Sequence, residues 1–310
     1  MRPLKNMCEI AVIGGGLAGL AAARNAARLG RLVTLFEGSG LYGGLVATIG
    51  EVEDLPFPGH FSGQDLAMHL YEEARMARVK LIEAEIAKLE VGDRLTLIDE
   101  EGSTYYPEAV IVAAGASLRK LGVPGEEELA GRGVSRCATC DGGFYRDKDV
   151  VVIGGGDGAV HEALELAKSS RSVTMVCRSP MRAKREHIDK LDARENVRFA
   201  WDSDVSAILG EGKVGGVRLR NVRNGTSRDV ECAGVFPFIG VEPNSGFMPK
   251  AMLAQSGHVK TGADGATCDK RVFAVGAICE GYGGAAVEAM AQGVGAAAAA
   301  VRSIASKEVV

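Results

Sequence analysis

Two thiols separated by two residues stand in Cys137-Ala138-Thr139-Cys140-Asp141. That spacing lets the sulfurs close into a disulfide and open again. It also lowers the pKa of one sulfur, and only the thiolate attacks a disulfide or a flavin ring. Asp141, next in line, can pass the proton. The same spacing serves as half a zinc site or as a packed structural pair. A zinc site needs a second pair, and neither another C-x-x-C nor an H-x-x-x-H follows: Cys8, Cys177, Cys232, Cys268 and Cys279 are scattered singly. No metal site is expected, and the context of the pair points to redox chemistry.

That context begins with Glu9-Ile10-Ala11-Val12-Ile13, a buried-strand pattern running into Gly14-Gly15-Gly16-Leu17-Ala18-Gly19 and an alanine-rich helix through Leu29. Gly14 makes the turn, Gly16 lets a pyrophosphate approach the backbone, and Gly19 lets helix pack on strand. The helix N-terminus adds amides and a positive dipole. A second strand, Leu32 to Phe36, ends at Glu37, where a carboxylate can accept the ribose hydroxyls. Gly43-Gly44 is a further glycine turn, placed to approach the middle of a cofactor longer than NAD. Ala109 to Ala116 is a buried strand whose small end, Ala114-Gly115, lets a ligand lie against it.

The pattern restarts at Asp149. Val152-Ile153-Gly154-Gly155-Gly156 repeats Val12-Ile13-Gly14-Gly15-Gly16 at an offset of 140, with Ala159 where Gly19 stood. Cys177 occupies the position matching Glu37, and Arg178, Arg182, Lys184 and Arg185 follow. Losing a carboxylate and gaining guanidinium groups suits a 2′-phosphate, hence NADP rather than NAD. The plainer alternative is a solvated basic turn.

The remaining segments read as a Pro- and Gly-rich loop over 53–61, a helix over 64–79 and strands over 82–99 with a Gly92-Asp93 turn. Further on come a glycine-rich hairpin at 210–216, apolar strands at 234–240 and 271–277, and a long helix over 284–300. The fold class is α/β, with two Rossmann-like dinucleotide-binding domains, the second inserted into the first. The 310 residues are enough for about two domains. A net charge of −4 argues against a broad nucleic-acid surface, and no apolar span is long enough to cross a bilayer. Met1 to Glu9 is too short and polar for a signal peptide, so a cytoplasmic location is expected. Seven cysteines, an odd number spread over the chain, do not resemble a secreted disulfide framework.

Over nearly its whole length the chain resembles the low-molecular-weight thioredoxin reductases. The segment Gly131 to Gly142, continued by Phe144-Tyr145-Arg146, follows that family's redox segment. Gly154-Gly155-Gly156 ahead of Ala159-Val160 and Glu162-Ala163, Gly240 to Asn244 and Ala113 to Ala116 match it too. The resemblance implies FAD in a discontinuous domain, 1–117 and 246–310, and NADPH in an inserted domain, 118–245, which carries the redox pair. It also implies a homodimer and thioredoxin or a similar dithiol protein as partner. Cys140 would lie against the flavin, Cys137 would attack the partner's disulfide, and Asp141 would serve as acid and base. The inserted domain would rotate about 117–121 and 240–245.

Three positions depart from the family pattern. Ser179 replaces one arginine after Arg178. Gly276-Ala277 stands for a Gly-Asp whose carboxylate would hold the ribityl chain, and Gly283-Gly284 stands for an Arg-Gln. The last two losses fall on FAD. Cys268 and Cys279, near them, read as small buried fillers. Two other functions compete: a flavin-dependent dithiol oxidoreductase with another electron donor or with oxygen as acceptor, and a non-catalytic nucleotide-binding redox sensor.

Overall fold

The computed structural model describes residues 8–52, 55–56 and 59–305. The expected loop over 53–61 therefore lies partly outside the described residues, at 53–54 and 57–58. The chain divides into two compact units: Met1–Ser117 with Glu242–Val310, and Leu118–Val241.

In the outer unit, five parallel strands form one sheet in the order Val272–Ala274, Ala109–Val112, Ile10–Ile13, Val33–Glu37, Lys80–Glu83. Ile10–Ile13 lies at its centre and all four residues are buried, as a parallel strand covered on both faces requires. Ile10 and Val12 point to a core shared with the helices Leu17–Arg28, Gly63–Met76 and Ala286–Ala305. Ala11 and Ile13 point to the opposite core, closed by the antiparallel strands Ile86–Val91, Leu95–Asp99 and Thr104–Tyr105 and by Met248 and Met252. The helices Leu17–Arg28 and Ala286–Ala305 meet through small residues. A Cβ on Gly293 would fall 2.2 Å from the Ala18 carbonyl oxygen, so only glycine lets the backbones come this close. The last helix starts at Ala286, two residues after the sequence suggests, because Gly284 has φ +95, outside the helical region.

The inserted unit repeats the plan. Its four parallel strands run in the order Val197–Trp201, Ser172–Cys177, Asp149–Ile153, Gly234–Pro237. An antiparallel sheet, Ser203–Leu209, Gly216–Asn221 and Ser227–Glu231, contains the glycine hairpin. Helix Asp157–Leu166 follows the second glycine turn, and Arg185–Asp192 is a helix the basic run conceals.

The chain passes between the units twice, and the two passages pair as short strands, Ala116–Leu118 with Val241–Pro243. The sequence reading closes the insert at Ser245; the division falls four residues earlier, at Val241. Asn244 and Ser245 belong to the outer unit by their bonds: Asn244 donates to the Ala114 and Gly115 carbonyls, and Ser245 Oγ donates to the Gly257 carbonyl.

Candidate active site

At the first glycine turn, Gly14 has φ +104 and its missing Cβ would sit 2.3 Å from the Ala113 carbonyl oxygen. A Cβ on Gly19 would sit 1.9 Å from the Gly14 carbonyl oxygen. Both positions are closed to any side chain. Gly16 differs: nothing lies within 4 Å of its Cβ position, so the space in front of the helix N-terminus is open. Gly16 caps that helix without a side-chain bond, and no acid occupies the first turn. The Gly43-Gly44 turn comes up against it. Gly43 N–H donates to the Gly15 carbonyl at 2.8 Å, and a Gly44 Cβ would be 3.6 Å from Gly16 Cα.

Glu37 is held at the end of its strand by Gly15 N–H at 2.7 Å and by Ser39 N–H and Oγ–H at 2.8 and 2.6 Å. These bonds satisfy part of each carboxylate oxygen and fix the group's direction. Glu37, Gly14, Ser39, Ala84, Ala114 and Asn244 help to line a cleft of about 630 Å³ at the carboxyl ends of the parallel strands. Gly115 has φ +65, and Asn244 bridges the two small residues, donating to both carbonyls while accepting from Ser117 Oγ.

Gly276, φ +75, comes to 3.2 Å of Ala18 Cβ by its Cβ position, and Ala277 follows, half-buried, in a short turn. Gly276 N–H donates to Gln292 Oε1, Gln292 donates to Glu288, and Glu288 accepts from Gly283 N–H. The long helix thus ties down the backbone at Gly276 and Gly283, where the sequence carries small residues. Gly284 and Gly283 are exposed.

The second turn reproduces the first. Gly154 has φ +136, and its Cβ would lie 2.1 Å from the Phe238 carbonyl oxygen and 3.0 Å from Ala159 Cβ. Gly156 is open, with nothing within 4 Å. Arg182 N–H donates to the Gly155 carbonyl at 2.7 Å, the counterpart of Gly43 on Gly15. Cys177 is buried with its Sγ 3.4 Å from the Gly154 carbonyl oxygen, and burial pushes its thiol up to about 11. It offers no charge to a ribose. Arg178 and Arg182 are exposed, and among the described residues neither guanidinium has an ion-pair partner. Ser179 is exposed beside them.

Cys137 and Cys140 are joined in a disulfide. Cys137 caps the single turn Ala138–Asp141, and its Sγ accepts from Cys140 N–H at 3.0 Å. Cys137 is buried and Cys140 exposed. Asp141 Oδ2 accepts from Ser135 Oγ at 2.7 Å, and the same oxygen of Ser135 accepts from Cys137 N–H at 3.2 Å. Ser135 therefore links the acid to the thiol pair. Glu162, 7% exposed, accepts from Ala138 N–H at 2.5 Å, and burial pushes its carboxyl up to about 7 against that hydrogen bond. Neither Ser135 nor Glu162 is marked for a role by residue type and spacing alone. Glu162 does leave a signal: it shares the helical spacing of the buried Ala159, Ala163 and Leu166, an acid at a core position.

Cys279 is buried, its thiol pushed up to about 11 by burial, whereas Cys268 is exposed. The filler expectation fails for Cys268 because Thr267 turns inward, its hydroxyl on the Asp269 and Val272 carbonyls, and the next position faces out.

Residues 8–293 match the family model described as pyridine nucleotide-disulphide oxidoreductase. A thioredoxin reductase of Streptomyces clavuligerus is 35% identical over 98% of this chain and 96% of its own length. One from Mycolicibacterium smegmatis is 37% identical over 97% of each. The chain belongs to the low-molecular-weight thioredoxin reductase family. Its structure superposes on the crystal structure of Lactococcus lactis thioredoxin reductase with a TM-score of 0.92 at 32% identity, covering 96% of this chain and 99% of that one. For the T. acidophilum thioredoxin reductase the TM-score is 0.90 at 28% identity, covering 97% and 100%. The chain is an oxidoreductase of the disulfide-reducing class, and Cys137 with Cys140 fits its redox-active centre. Among the described residues, no helix is long and apolar enough to cross a membrane.

Proposed function

We propose that the protein takes electrons from NADPH, passes them through FAD to the Cys137–Cys140 disulfide, and delivers them to thioredoxin or a similar dithiol protein. The observation that carries this reading is the closed disulfide in the same unit as the second glycine turn, with Asp141 bonded to it through Ser135. The outer unit's site fits an adenine dinucleotide: an open Gly16 before an uncapped helix, a pre-oriented Glu37 and the cleft beyond it. Gly14, Gly16 and Gly19 hold the pyrophosphate turn, Glu37 the ribose, and Gly44, Ala114, Gly115, Gly276 and Ala277 the cofactor's middle. FAD, when bound, supplies a two-electron carrier between nicotinamide and disulfide.

In the inserted unit, Gly154, Gly156 and Ala159 form the nucleotide turn, and the unpaired Arg178 and Arg182 receive the 2′-phosphate. Once the disulfide opens, Cys140 N–H remains aimed at Cys137 Sγ and stabilises a thiolate there. Cys137 attacks the partner's disulfide, and Asp141 supplies and recovers the proton. The protein acts in the cytoplasm as a homodimer.

The test is an anaerobic visible spectrum before and after NADPH, and separately NADH. Bleaching of the flavin band by NADPH supports the route; a flavin moved by neither nucleotide assigns the donor elsewhere.

A further inference from the structure

Glu162 is a buried carboxylate that the proposed electron route does not use. It stands on helix Asp157–Leu166 and grips the amide of Ala138, the first residue of the redox turn and the neighbour of Cys137. A carboxylate in this position holds the turn by a charge-assisted bond to the residue that follows Cys137, whose sulfur gains a negative charge when the disulfide opens. We infer that Glu162 is a positioning residue that takes up a proton when the Cys137–Cys140 disulfide is reduced and releases it when the disulfide reforms. This rests on the reading that the pair cycles between the two states.

The balance is as follows. Two electrons from a flavin or dithiol donor break the S–S bond. One sulfur takes a proton and becomes a thiol, while Cys137 is left as a thiolate. The Cys137 thiolate and the carboxylate bonded to the next residue's amide belong to two buried residues, and in a site with little water they repel each other. A second proton, drawn from solvent to the Glu162 carboxylate, removes one of the two charges. When Cys137 attacks a disulfide its charge leaves with the departing thiolate, and Glu162 returns the proton.

The surroundings leave this role to Glu162. On its own helix Glu165 contributes a like charge that works in the same direction as burial. From the redox turn, Asp141 is bonded to Ser135. From the following turn, the Tyr145 phenol is raised by burial and by Asp141. Of the packed strands, one brings Asp149, held by Arg171 and Ser172, and the other the high-pKa thiol of Cys177. On helix Arg185–Asp192, His187 lies 3.5 Å from Asp157. Among the described residues no cation is placed to neutralise Glu162, so a proton is the available counter-charge.

The test is the dithiol–disulfide equilibrium of the full-length protein against dithiothreitol, followed by thiol alkylation between about pH 6 and pH 9 for wild type, E162Q and E162A. Wild type should lose about three- to fivefold in reducibility relative to E162Q between about pH 7 and pH 8, because its reduction consumes an additional proton. The amide oxygen of E162Q still accepts from Ala138, so E162A should differ from E162Q by an offset that does not change with pH. Curves of wild type and E162Q that run parallel overturn the inference. A second readout needs no variant: the infrared reduction-minus-oxidation spectrum of wild type at about pH 8 should gain a protonated-carboxyl band. Its absence overturns the inference as well. Neither measurement uses a nucleotide, so failure of NADPH to reduce the flavin strikes the proposed route and leaves this result readable.

Discussion

Replacing Gly16 by alanine should separate cofactor binding from folding. Gly16 has φ −71 and ψ 178, extended backbone that any residue adopts, and its Cβ position meets no atom within 4 Å. Two small terms oppose each other in the folded protein: alanine lowers the freedom of the unfolded chain by about 0.4–1 kcal/mol, and it is a poorer helix cap by a similar amount. Stability of the apoprotein should therefore stay within about 0.5 kcal/mol of wild type. The methyl group nevertheless fills the space through which a pyrophosphate reaches the helix amides. Losing one charge-assisted hydrogen bond costs about 1.5–3 kcal/mol, which is about a ten- to hundredfold weaker FAD complex. Gly19→Ala is the control. Its Cβ lands 1.9 Å from the Gly14 carbonyl oxygen, and forcing helix from strand costs about 3 kcal/mol or more before any ligand is added. Thermal unfolding of apoprotein and FAD titration by flavin fluorescence read the two effects separately. If Gly16→Ala binds FAD as wild type does, the pyrophosphate does not lie at this helix, and the site assignment is wrong.

In the inserted unit the same logic predicts that Gly156→Ala, also open, raises the KM for NADPH about tenfold or more without changing the flavin content. Arg182→Ala should raise the KM for NADPH by about tenfold and leave that for NADH unchanged, since only the 2′-phosphate needs the guanidinium; equal loss with both nucleotides would refute the phosphate role. The Glu162 carboxyl is raised from 4.5 to about 7, so its stabilising share is complete below pH 4.5 and is lost as pH rises through about 7. Denaturant melts should show E162Q gaining on wild type over that window by up to about 3 kcal/mol. Alkylation of the oxidised protein at about pH 8 should modify Cys268, which is exposed, and spare Cys8, Cys177 and Cys279, pushed to about 11, and Cys232, pushed to about 12 by burial. Peptide mapping by mass spectrometry decides it.

Both glycine turns are legible in the sequence because a turn of this kind carries its cause with it. Buried strand, close approach and helix start each demand a residue type at fixed spacing, and Gly14, Gly19 and Gly154 each meet a backbone oxygen that no Cβ could clear. What the chain hides are contacts that depend on the finished fold. The bond from Gly15 N–H to Glu37 joins residues brought side by side only by the parallel register of their strands. Asn244 reads as a turn residue, yet it clasps the carbonyls of Ala114 and Gly115, in the link after strand Ala109–Val112 and about 130 positions away in sequence. Helix Arg185–Asp192 is polar on most of its surface, with only His187 and Leu191 buried, so its period is faint beneath the run of basic residues. Cys268 reads as a buried filler because nothing in its own neighbourhood announces that Thr267 takes the inward place.

The paired passages between the units also bear on how the chain reaches its native state. Strand Val272–Ala274 must find Ala109–Val112 across everything made in between, and closing so long a loop is slow. Yet Arg119 N–H meets the Gly240 carbonyl at 2.9 Å, and Asn244 N–H meets that of Gly115 at 3.0 Å. Once residues 118–241 have folded, their two ends emerge together, and the remaining search is that of a short connection. Because closure entropy grows only with the logarithm of loop length, at about 0.6 kcal/mol per doubling, the gain in free energy is modest. The larger consequence is one of order: residues 118–241 are synthesised whole before Val272–Ala274, so the insert can close on itself before that strand completes the interrupted sheet.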